Sequence, residues 1–401
     1  MDLGATNATI TVNNQTGGAI NIAYAAGVTD ALSNSQIISL NNVGTIASTG
    51  VSQVVVDINA TGIESLVISS TGTNVVSLDG VTEAQAVTVA GAGNVTVADL
   101  AAGVTRFDSG SLAGNTDVNL TGAMGVNSIT TGSGNDTIRV IGNSTNAITQ
   151  INSDGGEDIL ILSDMRSALQ YEMTGVETLG LSGNSAGLIF SAENVVGLRN
   201  IELQPDFSGA AALISMGAVD LSVSSVGSGV VDATLSVDSS GSLSFNAIIQ
   251  GESAQVNSVN LNASKAKELN AFFGDKSTYA GSITANSASN VSVSGFALTA
   301  AVTAAAATSV GINVEQTSSL QLNAQQLNSL NIVSGGGFNL QGDQVARTIS
   351  IITEGSFSSD SLLGAEMVSL SGTGAGRVDG EIGSLTQGYD LNLKASGFKN
   401  E

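Results

Sequence analysis

The chain has 401 residues, of which only 11% are charged, yet its formal net charge is −23. This length is sufficient for two or three ordinary domains or for one long solenoid. Because nucleic-acid binding depends on a basic surface, a pI near 4.1 argues against a nucleic-acid partner. An excess of carboxylates instead favours contact with divalent cations.

The residue types that the chain lacks restrict its chemistry further. It contains no Cys, His or Trp, which excludes thiol catalysis, disulfides and the common zinc, copper and haem sites. It also removes the usual general base near neutral pH, so we expect a protein that is not an enzyme. The most apolar run, residues 297–307, is short and contains Thr299 and Thr303, and therefore predicts no membrane span.

The first recurring pattern along the chain is Gly62-Ile-Glu-Ser-Leu-Val-Ile-Ser69, which returns as Gly175-Val-Glu-Thr-Leu-Gly-Leu-Ser182. In both copies a glycine precedes a glutamate by two residues, and apolar positions then alternate. This predicts a turn that enters a short, half-buried strand. We expect the two glutamates, Glu64 and Glu177, to be solvated.

The second pattern is a Gly-rich turn followed by an Asp and a short apolar strand. It occurs as Thr131-Gly-Ser-Gly-Asn-Asp-Thr-Ile-Arg139 and as Asn152-Ser-Asp-Gly-Gly-Glu-Asp-Ile-Leu160. Both segments follow the nonapeptide G-G-x-G-x-D-x-U-x, which binds calcium in a parallel β-roll. They depart from it at Thr131, Ser153 and Asp154, which stand at glycine positions. Two ordinary Gly/Asn/Asp β-turns would produce a similar pattern in any β protein.

The spacing of the two turns predicts that they stack. We expect strands at 137–141 and 147–151, joined by a turn at 142–146, so that one full coil separates the two Gly/Asp turns. A calcium ion between them would be held by the carboxylates of Asp136 and Asp158. Asp154 or Glu157 would serve as an auxiliary ligand.

Short apolar–polar–apolar strand cores fill the rest of the chain. They begin eight to eleven residues apart in several places, separated by Gly, Ser and Asn, which fits a β-solenoid or a sandwich of short strands. The scarcity of aromatic residues favours an all-β solenoid or β-roll-like fold of stacked short strands, with very little helix. The cores include Leu221–Val223, Leu235–Val237, Leu243–Phe245, Val259–Leu261, Val291–Val293, Ile312–Val314, Leu330–Ile332, Ile349–Ile351 and Val368–Leu370.

Two segments of the C-terminal half differ from this pattern. Residues 264–273 combine a capping serine, good helix formers and a following glycine, which predicts a short helix. Residues 277–314 contain no charged residue. Such a stretch indicates either a surface buried against another protein surface or a merely low-complexity part of the solenoid.

We divide the chain into three parts. Residues 1–105 form an N-terminal domain of β-rungs, residues 106–190 an RTX-like calcium-binding β-roll segment, and residues 191–401 a C-terminal solenoid or lattice domain.

Taken together, the Gly/Asp turns, the acidic composition and the absence of Cys resemble those of bacterial surface-layer (S-layer) proteins. The similarity is to the RTX-containing, type-I-secreted class, of the Caulobacter type. The specific resemblance extends from Gly132 to Leu181, about an eighth of the chain, and the remainder is similar in composition and rungs only.

The resemblance implies a secreted subunit that assembles with copies of itself into a two-dimensional lattice on a bacterial cell, with calcium as the cofactor. A region outside this chain would contact cell-surface polysaccharide. The implied ligand-turn residues are Gly132, Gly134, Asp136, Gly156 and Asp158, with backbone carbonyls of Ser133 and Asn135. With the auxiliary carboxylates, the predicted metal site comprises Gly132, Gly134, Asn135, Asp136, Asp154, Gly156, Glu157 and Asp158.

Two other functions remain open. The composition suits a secreted adhesin or autotransporter-like passenger equally well. A β-helical polysaccharide lyase or epimerase would need a base or cation beside bound calcium. Its candidates are Arg106, Arg139, Arg166, Tyr171, Arg199 and Lys276. We expect Arg139, on a strand beside the Gly/Asp turn, to face solvent or to pair with an acid.

Overall fold

The structure is a computed structural model in which every regular element is a β-strand. It describes residues 2–3, 5, 8–31, 33–46, 53–141, 148–225, 233–247, 257–363, 365–378 and 392–397. Parallel strands stack as the turns of a β-solenoid, which confirms the predicted fold class. Within the described ranges there is no helix, and hence none that could cross a membrane.

The chain divides into two compact units. The first comprises Met1–Gly180 with Asn194–Leu198, and the second Leu181–Glu193 with Arg199–Glu401. The division into three parts at residues 105 and 190 stays a prediction.

The strands are numbered in chain order. The first twenty are β1 (Asp2–Leu3), β2 (Thr9–Asn13), β3 (Gly18–Tyr24), β4 (Ser35–Asn41), β5 (Thr45–Ile46), β6 (Gln53–Val54), β7 (Val56–Ala60), β8 (Ser65–Thr71), β9 (Thr73–Leu78), β10 (Ala86–Gly91), β11 (Asn94–Leu100), β12 (Arg106–Leu112), β13 (Thr116–Asn119), β14 (Ser128–Thr130), β15 (Thr137–Ile141), β16 (Gln150–Asn152), β17 (Ile159–Ser163), β18 (Ala168–Gln170), β19 (Glu172–Thr174) and β20 (Thr178–Ser182).

The remaining strands are β21 (Leu188–Ser191), β22 (Val195–Val196), β23 (Asn200–Leu203), β24 (Gly209–Ile214), β25 (Leu221–Ser225), β26 (Ala233–Val237), β27 (Ser242–Ala247), β28 (Asn257–Asn262), β29 (Glu268–Thr284), β30 (Asn290–Thr303), β31 (Ser309–Val314), β32 (Ser318–Asn323), β33 (Leu327–Ser334), β34 (Phe338–Thr353), β35 (Phe357–Leu363), β36 (Met367–Gly372), β37 (Gly376–Val378) and β38 (Asn392–Ser396).

The first unit has two parallel faces. One is a nine-stranded sheet in the order β2-β4-β8-β10-β12-β14-β16-β19-β22. The other stacks β1, β3, β7, β9, β11, β13, β15 and β17. A small antiparallel pair, β5 and β6, accompanies them. Each solenoid turn therefore contributes one strand to each face.

The second unit is built in the same way. One face stacks β23, β25, β27, β31, β33, β36 and β38, and the other stacks β24, β26, β28, β32, β35 and β37. The long strands β29, β30 and β34 bend at a corner and pair on both faces. Continuous strands thus replace the turn at three corners of this unit.

Apolar and polar residues alternate along each strand, and parallel pairing aligns the inward side chains of successive turns in columns. In the nine-stranded sheet one column of inward side chains runs through Leu66, Val87, Phe107, Ile129 and Ile151, and all are buried. Burial of each such side chain contributes about 1.5–3 kcal/mol relative to exposure. The core of the solenoid is therefore a set of stacked apolar columns between two faces.

The predicted helix at 264–273 is wrong. A tight turn, in which Ala266 N–H bonds the Ala263 carbonyl, is followed directly by β29. Leu269, Ala271 and Phe273 point inward while the residues between them face out. Parallel pairing with β27 and β30 on either side satisfies the backbone and overrides the helix propensity of Lys, Glu and Ala.

An aromatic cluster closes the core where β29 bends. The rings of Phe273 and Tyr279 stack with centroids 3.7 Å apart, and Phe245 lies against Phe273 at 5.5 Å. The buried Tyr279 hydroxyl donates a 2.6 Å hydrogen bond to the Val259 carbonyl of the preceding turn. Burial raises the pKa of this hydroxyl, so it remains a donor.

We expect Tyr279→Phe to lower the free energy of unfolding by about 1–3 kcal/mol, because it leaves a buried carbonyl without its donor. Chemical denaturation measures the effect. Tyr24→Phe is the control, since the Tyr24 hydroxyl bonds the Gln36 side chain at a part-buried position and its loss should cost less. Equal effects of the two substitutions would contradict this account.

Candidate functional site

The two Gly/Asp turns stack at one corner of the first unit. Ile138 pairs with Leu160 beyond the turns and Ile129 with Ile151 before them, so the two turns lie directly above one another. The strand predicted at 137–141 is β15. The strand predicted at 147–151 is present as β16, which begins at Gln150, while residues 142–147 lie outside the described ranges.

A column of glycines forms the tightest part of this corner. A Cβ atom on Gly93 would lie 2.5 Å from the Gly72 carbonyl oxygen, and one on Gly114 2.4 Å from that of Gly93. The same holds for Gly134 against Gly114 at 2.5 Å, and for Gly156 against Gly134 at 2.2 Å. Backbone rests on backbone along the column, and a side chain has no room there.

An outer ladder of amide side chains follows each glycine. Asn115 N–H donates to Asn94 Oδ1 at 2.9 Å, Asn135 N–H to Asn115 Oδ1 at 3.0 Å, and Glu157 N–H to Asn135 Oδ1 at 3.1 Å. Each side chain thus accepts the corner N–H of the turn after it. The Gly-Asn pair of the predicted calcium turn is therefore a repeated element of the solenoid corner.

The residue after the ladder position points inward and forms a third column. Strand pairing aligns Asn74 with Val95 and Val95 with Thr116. Hydrogen bonds then link Thr116 to Asp136 and Asp136 to Asp158. This inward position therefore holds an amide, an isopropyl group, a hydroxyl or a carboxylate in successive turns. Asp136 and Asp158 are each at most 2% exposed, so this column carries two acids into the interior.

One oxygen of each carboxylate accepts a hydrogen bond from a backbone N–H of the preceding turn. Thr116 N–H donates to Asp136 Oδ1 at 2.6 Å, and Asp136 N–H donates to Asp158 Oδ1 at 2.7 Å. The column continues to Glu177, whose Oε2 accepts from Asp158 N–H at 2.9 Å. A buried N–H without a partner is costly, which explains why acceptors occupy these positions.

The second oxygen of each carboxylate is different. Oδ2 of Asp136 and Oδ2 of Asp158 are buried and meet no hydrogen-bond donor in proper geometry. The Thr131 and Ser153 hydroxyls lie beside these carboxylates, with Thr131 Oγ1 2.8 Å from Ser153 Oγ. Only one of the two hydroxyl protons is used between them, and the acceptor capacity of the two acidic oxygens is only partly filled.

This environment favours the neutral acids. Burial raises the pKa of Asp158 to about 7, and the charges of Asp136 and Glu177 act in the same direction. The Asp136 N–H and the Ser153 hydroxyl partly offset the effect. Burial also raises the pKa of Asp136, against the opposing effects of the Thr116 N–H and the Thr131 hydroxyl.

The structure separates the eight predicted metal-site residues into three groups. Asp136 and Asp158 are buried neighbours in the inner column, and the backbones of Gly132 and Gly134 are buried beside them. Gly156 belongs to the glycine column and Asn135 to the outer ladder. Asp154 and Glu157 are exposed on the outside of the turn, away from the buried pair.

Calcium takes six to eight oxygen ligands, usually including several carboxylates. The inner column supplies two buried carboxylates, with the Thr131 and Ser153 hydroxyls beside them. Among the described residues, no three acidic side chains converge on one point. Calcium binding by Asp136 and Asp158 therefore stays a prediction.

The glutamates of the first repeat have a function that the sequence did not reveal. Glu64 Oε2 accepts the Asn34 N–H at 2.6 Å, as Glu177 accepts that of Asp158. Both glutamates are half-buried, and the expectation that they are solvated is wrong. The repeated Gly-x-Glu spacing was the signal, because it places a backbone acceptor at the entry to a strand. Glu64 precedes β8 of the nine-stranded sheet, and Glu177 precedes β20, which pairs with β17 on the other face.

The residues considered for sugar chemistry are dispersed. Arg106 pairs with Asp108 at 2.6 Å, and Arg139 forms two bonds to Asp117 at 3.0 and 3.2 Å. The pairing of Arg139 with an acid confirms the expectation for that residue. Tyr171 is buried. The side chain of Lys276 lies outside the described residues.

Comparison with known proteins adds no identity. No protein-family model matches the chain. No curated protein and no solved structure matches it significantly.

We expect Gly134→Ala to destabilise the first unit by several kcal/mol, since its methyl group would collide with the carbonyl of Gly114, a backbone atom that cannot rotate away. Thermal unfolding followed by circular dichroism measures the loss. Gly311→Ala is the matched control, because no atom lies within 4 Å of the added methyl group. Similar stabilities for both variants would contradict the packing of the corner.

The raised pKa of Asp158 predicts a pH dependence of stability in calcium-free buffer. Between about pH 4, the ordinary pKa of Asp, and pH 7, the folded protein binds more protons than the unfolded chain. The free energy of unfolding therefore decreases as pH rises through this range. The loss is at most about 4 kcal/mol, at about 1.4 kcal/mol for each pH unit.

Asp158→Asn should remove most of this dependence and be more stable than the wild type at pH 8, because its amide oxygen still accepts the Asp136 N–H. Asp154→Asn changes an exposed carboxylate of the same turn and should leave the dependence intact. Denaturation curves at several pH values compare the three proteins. A wild-type stability that rises between pH 4 and pH 7 would overturn the assignment.

Proposed function

We propose that this chain is a structural, extracellular protein that binds calcium and assembles with copies of itself into a surface-layer lattice on a bacterial cell. The observation that carries the proposal is the buried pair Asp136 and Asp158, each with one oxygen that makes no hydrogen bond of ordinary geometry. A divalent cation is the partner that such a pair accepts at neutral pH. The β-solenoid fold is compatible with this function.

Calcium would reverse the cost of placing two acids in the corner. Without it, burial and mutual repulsion favour protonation of Asp158. With it, the charged forms are retained and the folded state gains stability by mass action. The stability of the first unit would then increase in extracellular calcium, as suits a protein that assembles after export.

The net charge of −23 supports a second effect of calcium. Copies of the chain repel one another at neutral pH, and divalent cations reduce that repulsion. An adhesin on the same scaffold would need no ordered assembly. Sheet formation by the purified chain therefore separates the two functions.

The proposal predicts ordered sheets in negative-stain electron micrographs with millimolar calcium and their loss after chelation. Dispersed monomers in both conditions would exclude self-assembly of this chain and favour an adhesin.

The role of the corner is tested by the calcium response of the unfolding temperature. We expect a clear increase for the wild type and little or none for the double variant Asp136→Asn, Asp158→Asn. The variant Asp154→Asn should retain most of the response, because that carboxylate lies outside the buried pair. An undiminished response in the double variant would place calcium elsewhere.

A further inference from the structure

Part of one face of the second unit carries no charge on its strands, although β35 of the same face carries Asp360. The uncharged part is formed by β24, β26, β28, residues 278–284 of β29, residues 297–303 of β30, β32 and the start of β34. We call it the polar face. One of its outward columns runs Ala210, Thr234, Asn260, Ser282, Ala301 and Gln321. From Thr234 to Gln321, every outward side chain described on these strands belongs to Ala, Ser, Thr, Asn or Gln.

Residues 278–284 and 297–303 of the uncharged stretch at 277–314 form the middle of this face, and neighbouring turns extend it on both sides. The first unit differs, because its strands carry outward charges at Asp57, Asp108, Asp117 and Arg139. The net charge of the chain is −23, yet the described strand residues of the polar face include no carboxylate.

Hydrogen bonds between adjacent turns hold parts of this surface in place. Asn260 Oδ1 accepts from the backbone N–H of Ser282 at 3.1 Å and from its hydroxyl at 2.7 Å. Further along, the Ser358 hydroxyl donates to Asn339 Oδ1 at 2.9 Å. Side chains that are already ordered lose less entropy on binding. The face is thus regular and partly preorganised.

We propose that the polar face binds the polar face of a second copy of this chain. The inference rests on the proposed function, since a lattice requires contacts between copies. Two molecules of the same strong negative charge repel, and like charges brought together at an interface cost several kcal/mol. Contact through the polar face avoids that cost. An interface formed by the same patch on both molecules closes with twofold symmetry.

The size of the face suits a weak contact. Seven strands about 4.8 Å apart span roughly 30 Å, and five residues along each strand span roughly 17 Å. Each copy would bury about 500 Å², or about 1,000 Å² in total, the lower limit for a specific interface. High ionic strength screens the net charge and should strengthen the association.

The test is sedimentation velocity on the full chain in chelator, over a range of protein concentrations and ionic strengths. The wild type should form dimers that increase with salt. Ala301→Asp should weaken the dimer at least about tenfold, because it places two carboxylates in the interface. Ser292→Asp, an exposed position on the opposite face of the unit, is the matched control and should dimerise like the wild type.

Complementation makes the test specific. Ala301→Lys alone should also weaken the dimer, and an equimolar mixture of Ala301→Lys with Ala301→Asp should restore it. Loss of folding cannot produce that restoration. Monomeric wild type at every concentration and salt, or an Ala301→Asp variant that dimerises normally, would overturn the inference. Dimers in chelator without sheets in calcium would refute the lattice alone, whereas sheets unaffected by Ala301→Asp would refute this interface alone.

Discussion

Close approach of backbone to backbone at the solenoid corner is the constraint on which the rest of the first unit depends. Successive turns sit one strand spacing apart, about 4.8 Å. At that distance the corner has room for glycine but not for a Cβ atom, as the column through Gly93, Gly114 and Gly134 shows. The next residue then faces outward as a ladder amide and the one after it points inward. Three consecutive positions of the corner thus have fixed roles: a glycine, an outward amide and an inward side chain.

The inward position of the three gives the corner its chemistry. Val95 fills it with an apolar group, Thr116 with a hydroxyl, and Asp136 and Asp158 with carboxylates. The carboxylates are structurally useful because each accepts a backbone N–H, and electrostatically costly because each keeps a buried oxygen that makes no hydrogen bond of ordinary geometry. The structural benefit and the electrostatic cost therefore arise from the same two side chains.

The fold was predictable because its signal is local and repeated. Alternating strand cores and Gly/Asn turns indicated a solenoid, and the spacing between the two Gly/Asp turns indicated that they stack. The sequence of residues 264–273 favours a helix, and the strand found there could not be predicted, since only pairing with β27 and β30 determines its conformation. For the site, Asp136 and Asp158 were found from the motif. Their use as backbone acceptors, and the shared role of Glu64 and Glu177, required knowledge of which turns are neighbours.

The two hydrogen-bond systems of the corner run in opposite directions along the chain. In the outer ladder a later turn donates to an earlier one, as Asn135 does to Asn115. In the inner column an earlier turn donates to a later one, as Asp136 does to Asp158. A chain that folds progressively from its N-terminus thus finds a ready acceptor on the turn already formed. That turn's own buried amide stays unsatisfied until the next coil arrives, so every coil is both a template for its successor and incomplete without it.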